Sequence, residues 1–347
     1  MQTITARTAC GLPAPDSCRE CCRLALGGMH LHPGFRLHSA APFAGNTPHA
    51  QPDPQRHLPT AREARIDQAM PAEHPATPED SMSKTPVDRL RRFGGIARLY
   101  GEDALQRFEN AHVAVVGIGG VGSWAVEGLA RSAVGRITLI DLDMIAESNV
   151  NRQVHALDGE FGKAKVSAMA QRIHAINPDC VVSEIEDFVT PENVEALLGG
   201  DFDYLIDAID QVRTKAAMIA WAKRCRVPLI TAGGAGGQID PKCIRMADLA
   251  FTIQDPLLAK VRSLLRKDYG FPREAKKKFG VPAVFSSEPL RYPERGNSCE
   301  QPRTLIGLSC AGFGSSVCVT APFGLLAAGE VLKHLAGNPS PLAGGPN

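Results

Sequence analysis

Long apolar runs and an excess of charge of one sign are both missing from this sequence. The nearest approach to a membrane-spanning segment, residues 317–332, is shorter than the ~18 residues required, and Pro322 and Glu330 interrupt it, which favours a buried helix. The first residues lack the charged and apolar regions of a secretory signal, so we expect a cytoplasmic protein without stable membrane insertion. A formal net charge of +1 predicts no strong overall field, so any attraction for nucleic acid must come from a local patch.

Paired cysteines are missing from most of the chain. The six cysteines from Cys180 to Cys318 form no C-x-x-C pair, which argues against a zinc knuckle or a disulfide framework, and we expect reduced thiols. A cluster of cysteines and histidines nearer the start has the wrong spacing for a known zinc finger, and we interpret it as part of an irregular tail. Its members are Cys18, Cys21, Cys22, His30 and His32.

Regular periodicity is absent from residues 1–81, which hold eleven prolines and six of the ten histidines but few aromatic residues. Such a composition cannot bury enough apolar surface to fold, so we predict a disordered extension. We interpret residues 82–110 as a helical lead-in and residues 336–347 as a flexible tail.

Six residues, Gly117-Ile-Gly119-Gly120-Val-Gly122, lie between an apolar run and a helix-like stretch. Glycines in such a place let the backbone turn sharply and approach a di- or triphosphate, while free N–H groups and the positive end of the following helix face the anion. The pattern therefore predicts a phosphate-binding loop. It does not name a reaction, because most chains with such a loop bind a dinucleotide and transfer hydride.

Short runs of Val, Ile and Leu alternate with helical stretches over residues 111–232. This alternation predicts a Rossmann-like, doubly wound α/β fold with a mostly parallel sheet and helices on both faces. Beyond Gly237 we expect antiparallel strands within 238–250, a basic, proline-interrupted insertion at 255–303 and a C-terminal helix at 318–335. The predicted strands are 111–117, 136–141, 180–186, 204–207 and 228–232, and the predicted helices are 123–132, 162–176, 191–198 and 212–224.

Acidic side chains follow two of the predicted strands. Asp141 ends the second strand, where a carboxylate lies beside the sugar of a bound nucleotide and can accept a hydrogen bond from a ribose hydroxyl. Asp210 follows the fourth strand, where a carboxylate together with phosphate oxygens can hold Mg²⁺. Asp207 lies closer to that strand, and we leave open whether it shares this task or orders the loop.

Two basic residues are expected at the same crevice. Arg152 lies in the run Asn149-Val-Asn151-Arg152-Gln153, and Lys165 opens the next helix. A triphosphate needs such cations, because its charge must be neutralised as the α-phosphorus is attacked and pyrophosphate leaves. The alternative for both residues is a surface salt bridge, and we interpret Lys163 as solvated. The pattern favours nucleotide-driven activation of a carboxylate over hydride transfer.

In order and spacing, these motifs resemble the ThiF/MoeB/HesA family, the bacterial relatives of the ubiquitin-activating enzymes. The resemblance implies an ATP-binding domain at 111–250, followed at 251–335 by a basic substrate-binding region and the C-terminal helix. It also implies that ATP and Mg²⁺ are bound and that an acyl-adenylate forms, with Arg152, Lys165 and Asp210 as catalytic residues and Asp210 as the metal ligand. The residues implied to bind ATP are Gly117, Gly119, Gly120, Gly122, Asp141, Asn149, Arg152 and Lys165.

Within this family the sequence most resembles the tRNA threonylcarbamoyladenosine dehydratases, for example in Thr231-Ala-Gly-Gly-Ala-Gly-Gly-Gln-Ile-Asp240. This implies ATP-dependent cyclisation of a modified adenosine at position 37 of tRNA by a homodimer. The zinc-binding cysteine pairs of many members are absent, which weakens a sulfur-carrier role. Many relatives also place an arginine at the position of Gly95, which leaves Arg92 or Arg98 as substitutes.

A basic segment suits tRNA rather than DNA in this interpretation. Residues 260–303 carry eleven basic residues against five acidic ones, which predicts salt-dependent RNA binding, although a merely solvated charged face is the simpler alternative. One of the interspersed aromatic residues is expected to stack on a base. They are Phe271, Phe279, Phe285 and Tyr292.

Two other functions stay open at this point. The first is activation of the C-terminus of a small sulfur-carrier protein, with a sulfur-transfer protein as partner. The second is an NAD-dependent oxidoreductase, which would give Arg152, Lys165 and Asp210 no role. Cys310 lies in a family-like stretch, and we interpret it as a small buried residue rather than as a reactive thiol.

Overall fold

The computed structural model of the protein describes residues 88–292 and 313–337, so the predicted extension at 1–81, the predicted tail beyond residue 337 and Cys310 lie outside the described residues. The helices are α1 (Arg89–Tyr100), α2 (Glu102–Asn110), α3 (Gly122–Arg131), α4 (Lys165–Ile176), α5 (Val194–Leu198), α6 (Val212–Cys225), α7 (Pro256–Asp268) and α8 (Val317–Leu335). The strands are β1 (His112–Val116), β2 (Arg136–Ile140), β3 (Val181–Ile185), β4 (Tyr204–Asp207), β5 (Leu229–Ala232), β6 (Ile244–Asp248) and β7 (Pro282–Ser286).

The strands form one seven-stranded sheet in the order β3-β2-β1-β4-β5-β7-β6. All neighbouring pairs are parallel except β6 and β7, which are antiparallel. The chain order reverses beside β1, where β2 lies on one side and β4 on the other, and ligands of such sheets bind at this point. The predicted Rossmann-like, mostly parallel α/β fold is confirmed.

Alternate residues of each central strand pack against helices on opposite faces of the sheet. In β1, Val113 and Val115 join a core with α3, α4 and α8, whereas Ala114 and Val116 join a core with α5, α6 and α7. Burial of both faces explains why these strands are continuous apolar runs in the sequence. Strand β3 differs because it lies at the sheet edge, where Val181 is exposed.

The segment that we expected to be an irregular insertion contains both α7 and β7. Asp255 caps α7, because its side chain accepts a hydrogen bond from the amide of Leu258, and Pro256 occupies the first helical position. This Asp-Pro pair is a helix-start signal that the charged composition obscured. Pro282 is the first residue of β7, where the missing N–H group is tolerated.

Helix α8 packs closely against α3, the helix that follows the glycine loop. A Cβ atom on Gly324 of α8 would lie 2.3 Å from the carbonyl oxygen of Val121, so this crossing requires glycine. Ser316 caps the helix by accepting from the amide of Cys318, and Pro322 lies within the second turn. Among the described residues, no helix is both long and apolar enough to cross a membrane.

Candidate functional site

The loop between β1 and α3 begins at Gly117, whose φ of +89° lies in the left-handed region that favours glycine. Gly122 is equally constrained, because a Cβ atom there would lie 1.8 Å from the Gly117 carbonyl oxygen. The amide N–H groups of Gly119, Gly120 and Val121 donate to no described residue. Free amides at the start of a helix can bind an anion, so anion binding by this loop stays a prediction.

Asp141 follows β2 directly and faces this loop. Its Oδ2 accepts from the Ile118 amide at 2.6 Å, and its Oδ1 accepts from the Asp143 amide at 2.8 Å. Lys165, which is 6% exposed, donates from Nζ to Asp143 Oδ2 at 2.7 Å and lies 3.9 Å from Asp141 Oδ1. Burial raises the pKa of the Asp141 carboxyl, and the charge of Lys165 opposes that shift. These predicted sugar and phosphate ligands form one charge cluster.

Arg152 lies against the glycine loop. A Cβ atom on Gly120 would lie 3.1 Å from Arg152 Cγ, so glycine is what allows this close approach. The guanidinium donates to two oxygen atoms of the preceding turn at 2.8 and 2.9 Å and forms no ion pair with a described carboxylate. Asn149 has a different position, because its Oδ1 accepts from the Ala146 amide at 3.0 Å and supports the turn that carries Arg152. It does not line the cleft described below.

The two carboxylates that follow β4 have different surroundings. Asp210 is exposed, whereas Asp207 is buried and accepts from Lys215 Nζ at 2.8 Å and from Thr231 Oγ1 at 2.7 Å. Lys215 is 0% exposed. Asp207 therefore orders the loop, and Asp210 is the one that reaches the cleft. Sequence reasoning missed Lys215. The signal was its position four residues before Ile219 in the predicted helix 212–224, which puts the lysine on the same helix face as an apolar residue.

These groups line a cleft of about 320 Å³ along the carboxyl ends of the strands. Because the strand order is β3-β2-β1-β4-β5, the loops after these strands follow one another along the cleft in that order. We name its two ends the β3 end and the β5 end. The β3 end comprises Asp187, Phe188 and Val189, and the β5 end comprises Gly233, Gly234, Ala235 and Thr320. Sequence reasoning gave neither end a role, although it singled out residues 231–240 as a family-like run that includes part of the β5 end.

The predicted ligands are distributed between these ends. The cleft is lined by Gly117, Gly119, Gly120, Asp141, Arg152, Lys165 and Asp210. Lys163 is exposed and pairs with Glu160 at 3.0 Å, away from the cleft lining. Arg92 donates to the Ile176 carbonyl oxygen at 2.7 Å. Among the described residues, no group of three or more His, Cys, Asp or Glu side chains could hold a metal ion.

The basic region around α7 is only partly as predicted. Lys276, Lys277 and Lys278 are exposed, but Phe279 and Phe285 are buried, so of the four aromatic residues only Phe271 and Tyr292 stay candidates for stacking on a base. Phe279 and Phe285 are buried because β7 and the loop before it belong to the sheet core. Tyr292 is 72% exposed and meets the edge of the Phe313 ring. Arg295 and Arg303 lie outside the described residues.

The parallel sheet, the glycine loop at the strand-order reversal and the charged groups around it define a nucleotide-binding protein of the Rossmann-like class. The ThiF family model matches residues 94–346, and the chain belongs to this family. It is 54% identical over 250 residues to the tRNA threonylcarbamoyladenosine dehydratase of Escherichia coli, and 52% identical over 246 residues to that of Haemophilus influenzae. Each match covers 71% of this chain and 93% of the relative.

Solved structures give the same result. The crystal structure of E. coli tRNA N6-threonylcarbamoyladenosine dehydratase, TcdA, in complex with ATP is similar with a TM-score of 0.64 and 52% sequence identity. The complex of that protein with AMP has the same TM-score and identity. Both matches cover 71% of this chain and 94% of the solved chain.

Proposed function

We propose that this protein catalyses the ATP-dependent cyclisation of N6-threonylcarbamoyladenosine at position 37 of tRNA. The observation that carries the proposal is the cleft, which brings a glycine loop, Asp141, Arg152, Lys165 and Asp210 to one sheet edge. Identity of 52% and 54% to dehydratases, over 93% of their length, supports the same reaction. An oxidoreductase would leave the two cations and Asp210 without a role.

ATP is oriented by the order of the loops along the cleft. The base lies toward the β3 end, Asp141 accepts from a ribose hydroxyl, and the amides of the glycine loop bind the phosphates. The substrate carboxylate then approaches from the β5 end. In this proposal the α-phosphorus lies between Arg152 and the incoming carboxylate.

The first chemical step is adenylation. A carboxylate oxygen of the threonyl group bonds to the α-phosphorus, the bond from that phosphorus to the bridging oxygen breaks, and pyrophosphate leaves. Arg152 and Lys165 neutralise the charge that accumulates on the leaving group. Lys165 is paired with Asp143 in the structure, so the phosphates must compete with that carboxylate for it.

We further propose that Asp210 holds Mg²⁺. It is an exposed carboxylate at the phosphate end of the cleft, and Mg²⁺ is commonly bound through one or two carboxylates plus phosphate oxygens and water. The ion would supply charge neutralisation at the phosphates. Asp207 is unsuited to this task because both of its oxygens are occupied by Lys215 and Thr231.

The second step is ring closure. A nitrogen or oxygen of the carbamoyl group bonds to the activated carbonyl carbon, AMP leaves with the former carboxylate oxygen, and a carbamoyl nitrogen loses its proton. The product is therefore the substrate minus one water. Both reacting groups belong to one molecule, so proximity favours closure, and no enzyme thiol is required.

The tRNA is proposed to lie across α7 and the loop after it. A surface depression of about 480 Å³ there is lined by basic groups that include Arg266, Lys267 and Arg273. Helix α7 begins beside the cleft, where Asp255 accepts both from the Leu258 amide and from the Gly234 amide at the β5 end, and it ends at this depression. Of the two candidates that are not buried, Phe271 and Tyr292, the more exposed Tyr292 is proposed to stack on a base.

The assembly and compartment are further parts of the proposal. Leu325 and Leu326 of α8 are 49% and 39% exposed, and we propose that a second copy covers them in a homodimer. Light scattering should then give twice the chain mass. We place the protein in the cytoplasm, and a sulfur-transfer partner has no support in the described cysteines, which form no pair.

The test is incubation of tRNA that carries N6-threonylcarbamoyladenosine with the protein, ATP and Mg²⁺. Mass spectrometry of the nucleosides should show loss of one water from the modified adenosine, with AMP and pyrophosphate formed in equal amounts. Unchanged nucleoside in the presence of bound ATP would contradict the proposed reaction. A Gly-Gly-ended carrier protein that stimulates ATP–pyrophosphate exchange would favour carrier activation instead.

A further inference from the structure

The loop between β6 and α7, residues 249–255, connects the amino ends of the parallel strands to the cleft. Before it, Asp248 ends β6 opposite Pro282, the first residue of β7. At its own end, Asp255 accepts from the Gly234 amide at 2.9 Å, and Gly234 lines the cleft. The last residues of the β6–α7 loop therefore border the β5 end.

Two large apolar side chains of this loop face solvent. Phe251 is 40% exposed and Ile253 is 58% exposed, whereas Thr252 between them is 3% exposed. The backbone of Thr252 is extended, so its two neighbours point away from the side on which Thr252 is buried. Ile253 precedes Asp255 by two residues, which places its Cα atom within about 8 Å of that of Asp255. Exposed apolar residues that occur together indicate a contact surface.

The loop is held in place along its length. Thr252 Oγ1 donates to the Leu249 carbonyl oxygen at 3.2 Å. A Cβ atom on Gly233 would lie 1.9 Å from Asp255 Oδ2, so the end of the loop packs directly against the wall of the cleft. Gln254 has a φ of +56°, a conformation that a residue other than glycine keeps only where its surroundings impose it. The exposed side chains are thus presented by a fixed backbone, which lowers the entropy lost on binding.

Two arginines of α7 lie beside this loop. Arg262 donates from Nη1 to Thr252 Oγ1, and Arg266, one turn later, donates from Nε to the Pro272 carbonyl oxygen. Neither guanidinium forms an ion pair with a carboxylate of the described residues. Burial and the nearby charge of Arg266 lower the pKa of Arg262, and the charge of Asp255 opposes this shift. Because like charges four residues apart on a helix repel, an anion between the two groups would be stabilising.

We propose that the β6–α7 loop and these two arginines bind the RNA strand next to the modified adenosine. A phosphate lies between Arg262 and Arg266, and a neighbouring base stacks on Phe251, with Ile253 covering its edge. The inference rests on the proposed function, because a nucleotide that enters the β5 end brings the nucleotides joined to it past this loop. Aromatic rings and guanidinium groups are the side chains on which unpaired bases of RNA stack.

The charges around the loop favour RNA over a protein partner. Arg266 also lines the basic depression at the end of α7, so the proposed phosphate site is continuous with the surface assigned to tRNA. A polyanion can follow such a row of cations, with its bases turned toward the apolar side chains. The contact is made equally before and during the chemical steps, so its loss should raise KM for tRNA and leave kcat unchanged.

The first test uses the full chain with Phe251→Ala. We expect KM for the modified tRNA to rise about tenfold, as loss of a base stack predicts, while kcat and the affinity for ATP do not change. The dependence of tRNA affinity on salt should keep its slope, because no charge is removed. Phe161→Ala is the matched control, because Phe161 is 37% exposed and does not line the cleft, and it should behave as the wild type.

The second test addresses the phosphate. Arg262→Gln and Arg266→Gln should each weaken tRNA binding and reduce the slope of log K against log salt by about 1, because one phosphate contact is lost. Arg91→Gln, at an exposed site on α1, removes the same charge and should leave the slope as it is. The melting temperature of each variant shows whether it folds, and Phe251→Ala decides the question if Arg262→Gln does not.

The outcomes separate this inference from the proposed function. Wild-type KM in Phe251→Ala would overturn the inference and leave a protein partner as the occupant of the loop. An unchanged salt slope in Arg266→Gln, or an equal change in Arg91→Gln, would also overturn it. In each of these cases the reaction itself would still stand. A wild-type protein that binds the modified tRNA and ATP but makes no cyclic nucleoside would refute the proposed function instead.

Discussion

The β3 and β5 ends of the cleft differ in how their polar groups are satisfied. Toward the β3 end, charged side chains pair with one another, as Asp143 does with Lys165, and incoming phosphates must displace one of these partners. At the β5 end, Asp255 is saturated by backbone amides and Gln238 has no partner among the described residues. The comparison indicates that a nucleotide must displace existing charge pairs toward the β3 end, whereas the polar groups of the β5 end offer no such pair to displace.

The largest effect is expected from the buried pair that lies between the two ends. Lys215→Met should lower the free energy of unfolding by about 3–5 kcal/mol, because it leaves Asp207 as an uncompensated buried charge. Denaturant unfolding measures this, and both ends should lose binding together. Lys223→Met, exposed on the same helix, should change stability by less than about 0.5 kcal/mol. Equal stability of the two variants would show that the buried pair does not support the sheet edge.

At the nucleotide side, Lys165→Ala should slow AMP formation about 10²- to 10³-fold, because charge on the leaving pyrophosphate is no longer neutralised. The measurement is AMP release at saturating ATP and modified tRNA. Lys163→Ala is the matched control, since Lys163 is exposed and pairs with Glu160 outside the cleft. If the two ends act independently, tRNA affinity stays at the wild-type level in both variants. AMP release at the wild-type rate would remove Lys165 from the mechanism.

Acid pH should also lower the free energy of unfolding, through a buried histidine near Lys165. His155 is 2% exposed, and burial, with the nearby charges of Lys165 and Arg172, lowers its pKa to about 4. Between an unfolded pKa of ~6.5 and this value, the unfolded chain binds a proton that the folded chain does not, so stability falls by about 1.4 kcal/mol per pH unit as pH drops. His155→Leu should lose about 2 kcal/mol less than the wild type between pH 7 and 5 in denaturant titrations. His174→Leu, at an exposed site, should keep the wild-type pH dependence. The wild-type pH dependence in His155→Leu would mean that folding does not lower the pKa of His155.

The smallest effect is expected at the basic loop between α7 and β7, which lies at the amino ends of the strands. Replacing Lys276, Lys277 and Lys278 by alanine should weaken tRNA binding about tenfold and flatten its salt dependence, because fewer phosphates are neutralised. ATP affinity should not change. The control removes three exposed basic residues of other elements, Arg91, Arg136 and Lys163. Equal losses in both triple variants would assign the effect to overall charge rather than to a docking surface.

Sequence reasoning located those residues whose predicted role follows from their position directly after a strand. The glycine loop, Asp141 and Asp210 could be placed because each follows a buried apolar run, and parallel strands bring such positions to one edge. Gln238 could not be placed in this way. The backbone after it is held by Glu288, about 50 residues away, and its neighbour Pro256 opens a helix whose start the charged composition concealed. No local period encodes such contacts, so the β5 end became visible only in the fold.

The close crossing of α8 over α3 has a consequence for the timing of synthesis. Val121, the last residue before α3, is covered by Gly324, about 200 residues later in the chain. A nascent chain on the ribosome can thus complete the strands from β1 to β7 while the phosphate loop still lacks its supporting helix. Catalytic competence should arise only once translation has passed α8, which would keep unfinished chains from consuming ATP.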